Sequence, residues 1–152
     1  MLKGQTVPVI TASAVIFLAV SAGMSARAFA DPQGSLVTAV DNFRGSSSCS
    51  PLKSDPLVTR AAQMANQESS DYIHHRSAEV PFTDPMPALK TIGYTGSKAS
   101  MLSGYGKNAH DSIYGLILQG HKLLHDCTFT QYGADTVADE GFILTSVVLA
   151  RP

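Results

Sequence analysis

The chain contains no tryptophan and only two cysteines, Cys49 and Cys127. Charged residues are 15% of its 152 positions, and no run of lysine or arginine occurs. That excludes the usual footprint of a nucleic-acid binder, because phosphate contacts need clustered cations. No G-x-S-x-G elbow is present, which removes the commonest sequence signal of a serine nucleophile. There is no internal repeat. Only one apolar segment approaches membrane-spanning length, from Val7 to Met24, and no second one follows.

What is present begins with that segment. Lys3 precedes it, and "SARAFA" closes it with small residues at Ala28 and Ala30. A basic start, an apolar middle and an A-x-A end form a secretory signal peptide. Pro8 and several small residues dilute the run and argue against an uncleaved anchor. Residues 1–30 are therefore expected to be removed, leaving residues 31–152 as a single secreted domain. These 122 residues suffice for one core and carry nine basic against twelve acidic residues. In an oxidising compartment Cys49 and Cys127 most simply form one disulfide, with two free buried thiols as the alternative.

The spacing of apolar residues predicts helices first and strands last. Leu36, Val40 and Phe43 recur at helical steps, with Ser35 placed to cap them. Asp55 and Pro56 start a second helix whose face runs through Leu57, Ala61, Met64, Ala65, Glu68, Tyr72 and His75. On this reading His74 is rotated about 100° away from that face. Three prolines make 76–88 a loop, and 86–94 is a short helix stopped at Gly93. Residues 95–108 read as irregular, with a short strand at Ser100–Leu102. The segment 110–125 carries Ile113, Leu116, Ile117 and Leu124, and Gly115 and Gly120 divide it into two helical pieces. Residues 127–137 and 142–150 read as two antiparallel strands, the second apolar enough for the middle of a sheet. The expected class is α+β, with helices covering a small antiparallel sheet.

These segments together resemble the CAP superfamily of cysteine-rich secretory, antigen 5 and pathogenesis-related proteins. The resemblance rests on Asn42 and Arg44 in the first helix, on "CSPLKSDPLVTRAAQMA" from Cys49, and on "HRS" at 75–77. It continues with "YGLILQGHKLL" at 114–124, "FTQYGADTV" at 129–137 and "FILTSVVLA" at 142–150. It implies an α-β-α sandwich with a shallow cavity lined by two histidines and two glutamates, holding a divalent metal in some members. The matching histidines are His75 and His121. The first glutamate position falls near Ser100, or at Lys107 in a gapped alignment, and the second at Asp111. Leu116 stands where the family has a tryptophan. The implied site is thus His75, His121, Ser100 and Asp111, an incomplete set for metal binding.

The residues permit other chemistry. His121 and His125 have the i, i+4 spacing of a helical zinc pair. However, Lys122 stands where a glutamate would activate water. His75 with His121 could hold Zn²⁺ or Mg²⁺ weakly, or could shape a polar pocket by hydrogen bonding. Ser77 and Ser112 read as capping or solvent-facing residues, and the tyrosines as core and pocket wall. The expectation is a secreted, non-enzymatic domain binding a lipid, a small hydrophobic ligand or an extracellular protein. A secreted metal-dependent hydrolase acting at the cell envelope is the alternative.

Overall fold

Two aspartates start the first two long helices in the same way. In the computed structural model, which describes residues 31–152, α1 spans Pro32–Gly45 and the Asp31 carboxylate accepts from the N–H groups of Gln33 and Gly34. The cap is Asp31 rather than Ser35, which lies inside the helix. The α2 helix spans Pro56–Ile73, and Asp55 accepts from Leu57 and Val58 N–H. Proline at the first position suits both helices, since its missing N–H has no partner there anyway. The signal peptide expected at 1–30 lies outside the described residues.

A short α3 covers Met86–Thr91, and α4 covers Ala109–Leu124 as one helix, not two pieces. Its glycines interrupt the apolar stripe but not the backbone, because Ile113, Leu116, Gly120 and Leu124 keep one buried face at three- to four-residue steps. Asn108 caps it by accepting from Asp111 N–H, and Asp111 in the first turn favours the positive end of the helix dipole.

Among the described residues, four strands form one sheet in the order β1-β3-β4-β2. They are β1 (Lys53–Ser54), β2 (Lys98–Gly106), β3 (Gln131–Asp139) and β4 (Phe142–Arg151). β4 pairs antiparallel with β2 and β3, while β1 pairs parallel with β3. β4 is central, as its apolar run implies, and is buried from Leu144 to Ala150. The expected irregular stretch 95–108 contains a nine-residue strand, and the third strand starts at Gln131, after a turn at 127–130.

The residues of β4 sort the layers by parity. Val147 and Leu149 join Leu36, Val40, Leu116, Leu124 and Phe129 in a core under α1 and α4. Val148 and Ala150 join Val58, Ala61, Ala62 and Leu89 under α2 and α3. The fold is therefore an α-β-α sandwich with a core on each face of the sheet.

Cys49 and Cys127 form a disulfide with a Cα–Cα distance of 5.0 Å. Beside it, Arg44 is 2% exposed, and among the described residues no carboxylate oxygen lies within ion-pair distance of it. Its guanidinium donates to the carbonyls of Ser50 (3.0 Å), Leu124 (2.9 Å), Asp126 (3.0 Å) and Phe129 (2.8 Å). The planar fork can reach four acceptors at once, which an ammonium cannot. Burial pulls its pKa down, against the opposing pull of Asp126.

Candidate functional site

The last two turns of α2 decide which histidine faces the protein. The buried face of the helix is apolar at Val58, Ala61, Ala62 and Ala65, then turns polar at Asn66 and Ser70. His74 continues that line at the next i, i+4 step. Each polar group meets the sheet or the chain beyond the helix. Asn66 Nδ2 donates to the Asp135 carbonyl (3.0 Å) and to Asp135 Oδ2 (2.8 Å), and its Oδ1 accepts from the Ser146 hydroxyl (2.7 Å). Ser70 Oγ accepts from Arg76 (2.7 Å). His74 Nε2 lies 2.8 Å from Asp139 Oδ1, and its ring stacks on Phe142. The Ser70 hydroxyl and then the His74 ring hold the Asp139 carboxyl below its ordinary range against the effect of burial.

His75 has a different position. Its φ of 57° places it in the left-handed region, where it turns the chain out of α2. The N–H groups of Arg76 and Ser77 then close back on the Asp71 carbonyl. The His75 side chain is exposed. His121 is also exposed, with Nδ1 3.2 Å from the Leu118 carbonyl of its own helix. α2 and α4 cover opposite faces of the sheet, and no hydrogen bond links the two rings. Ser100 is half-buried in β2, and Asp111 is exposed at the start of α4, bonded to Asn108. His125 ends α4 and stacks on Phe43 at 4.8 Å, so its partner is α1 and not His121. Among the described residues, no three His, Cys, Asp or Glu side chains converge as metal ligands.

Where the resemblance implies a cavity, beside the end of α2, there is a shallow groove of about 380 Å³. α2 lies over β3 and β4, so on that face this end of β2 has no helix above it among the described residues, while α4 covers the other face. Tyr72, Ile73 and Pro81 wall the groove, Ser103, Tyr105 and Leu144 floor it, and Gln119 of α4 reaches its rim. None of these positions belongs to the implied four.

A second groove, of about 460 Å³, lies between α1 and α4. Ser35 and Ala39 stand one turn apart on α1, and Ala109, Ile113 and Ile117 recur at four-residue steps on α4. Small side chains on α1 and at the start of α4 leave the space between the two helices unfilled. Ile113 and Ile117 form an apolar floor, Tyr114 is an exposed flank, and Ser35 and His110 supply the polar edge. Sequence reasoning placed Ile113 and Ile117 on the core stripe and missed their groove, because nothing local shows that Ser35 and Ala39 face them.

No family model and no curated protein matches this chain by sequence. Solved structures do match by shape. An outer surface protein from Borrelia burgdorferi superposes with a TM-score of 0.63 at 12% identity, over 79% of this chain and 92% of that one. A cysteine-rich secretory protein from Staphylococcus aureus gives 0.62 at 15%, over 80% of this chain and 39% of that one. An extracellular protein containing an SCP domain, from Bacillus anthracis, gives 0.52 at 14%, over 80% and 40%. The chain thus spans about two fifths of the last two proteins and most of the first. What all of this establishes is architecture: the chain has the fold of the SCP domains of the CAP superfamily.

Proposed function

We propose that the protein is an exported, non-enzymatic binding domain that seats a small apolar ligand, a lipid acyl chain, in the groove between α1 and α4. The observation that carries this reading is the groove's lining, which is apolar at Ala39, Ala109, Ile113 and Ile117, with polar groups at Ser35 and His110. Grooves of this size between helices, apolar with a few polar groups, suit small-molecule ligands. Each buried methylene contributes about 0.8 kcal/mol, so a chain seating about six of them gains about 5 kcal/mol before ordering costs. Export agrees with the N-terminal segment, with the disulfide, and with the printed names of the three structural neighbours.

Displacement of a fluorescent fatty acid tests the reading. Ala39→Phe fills the groove and is expected to weaken binding at least about tenfold, the equivalent of 1.4 kcal/mol. Tyr114→Ala, on the exposed flank, is expected to weaken it less and to leave thermal unfolding unchanged. His75→Ala and His121→Ala are expected to bind like the parent. Equal binding by Ala39→Phe and the parent would refute the groove. Chelator-sensitive turnover of ester or peptide substrates would refute the non-enzymatic part.

A further inference from the structure

We propose that a separate groove, between α2 and the open edge of β3, binds carbohydrate. The fold creates it by leaving β3 half covered. β1 pairs only with Gln131 and Tyr132, so from Gly133 to Asp139 that edge has no strand beside it among the described residues. α2 runs above, and a hollow of about 540 Å³ opens between them.

Its chemistry differs from that of the α1–α4 groove. Arg60, Gln63 and Gln67 recur at three- to four-residue steps along α2, which sets a guanidinium and two amides along one wall. Asp135 stands on the opposite wall. Asn66 is 1% exposed and uses both amide hydrogens and its carbonyl on Asp135 and Ser146. It therefore fixes the Asp135 carboxylate by Oδ2, while Oδ1 has no protein partner among the described residues. Arg60 makes one long contact, 3.5 Å to Gln63, and its other donors are uncommitted there. Met64 and Val137 add a small apolar surface between the polar walls.

Planar donors and acceptors on two walls, over a patch of aliphatic carbon, complement a sugar ring. A sugar hydroxyl donates and accepts at once, so it can bridge a carboxylate and a guanidinium or amide. The ring's C–H face needs only modest apolar contact. The hollow carries one cation, Arg60, against two carboxylates, Asp135 and Glu68, so it disfavours a polyanion and leaves a neutral polar ligand as the better match. The site shares no residue with the α1–α4 groove, and either proposal can fail alone.

Titration of maltotriose, cellotriose and chitotriose into the isotope-labelled protein, followed by NMR, tests it. At least one of the three is expected to give saturable shifts at the Asn66 side-chain amide and at the backbone of residues 60–68 and 133–137. Arg60→Ala, at an exposed position, and Asp135→Asn are each expected to weaken that binding about tenfold, the loss of a charge-assisted hydrogen bond, without lowering the melting temperature. If none of the three saccharides moves these signals, or if both variants bind as the parent does, the proposal fails.

Discussion

Asp126 carries the clearest electrostatic signature in the molecule. Its Oδ1 accepts from the Thr128 N–H at 2.9 Å, and its Oδ2 lies 3.0 Å from Lys98 Nζ, which also reaches the Thr128 hydroxyl and sits over the Phe129 ring. The Thr128 hydroxyl and N–H, then Lys98, pull its pKa down to about 2. A carboxyl depressed on folding stabilises the native state above its unfolded pKa, near 3.9, and that contribution disappears as pH falls toward 2. Asp126→Asn is therefore expected to flatten the fall in urea stability between about pH 4 and pH 2. An acid limb identical to the parent's would show that the turn does not depend on this charge. The sequence places Asp126 at the end of a helix but gives no hint of Lys98, twenty-eight residues earlier. The histidines teach the same lesson. A helical wheel that puts His75 on the buried face is one residue out of phase: Leu57 and Tyr72 are exposed, and His74 meets Asp139. The wheel sees the period of α2 but not which side rests on the sheet.

Gly133 settles that side for the helix as a whole. A Cβ there would lie 2.0 Å from the Thr59 nitrogen and 2.2 Å from the Val58 carbonyl carbon, both backbone atoms that cannot rotate away. The first half of α2 thus lies directly on β3, and Val58, Ala61 and Ala62 pack closely against β4. Gly133→Ala is expected to lift the helix and cost about 1–3 kcal/mol, the usual range for overpacking, read as a lower urea midpoint. An unchanged midpoint would mean that the helix shifts without penalty. β2 was hard to read for a related reason. Its Ser and Gly residues look like loop chemistry, yet Gly104 is needed where its Cβ would meet the Ser112 carbonyl at 2.1 Å, so that α4 can lie on the strand. The cap at Asp55 and the apolar run of β4 were legible because each is a local signal. The two-residue β1 was not, since a parallel pair with a strand far along the chain leaves no mark in so short a segment.

At the scale of the molecule, the ends of the fold are tied by contacts between residues far apart in the chain. The disulfide joins positions 78 apart, and Arg44 reaches Phe129 across 85 residues from the same corner. Replacing Cys49 and Cys127 with serine is expected to lower stability by about 2–5 kcal/mol. The far-UV spectrum is expected to stay native, because the Arg44 hydrogen bonds still hold these segments. A collapse of that spectrum would give the disulfide the whole task of closure. The α+β class and the order of layers were visible in the sequence. The α1–α4 groove and the hollow beside β3 were not, because both are gaps left by tertiary packing. β4 is the strand on which both layers rest. β2 and β3 each pair with it and not with each other, so without it the helices lying on them share no common sheet. Before β4 inserts, their half-covered aliphatic stripes offer a holding chaperone an obvious place to grip.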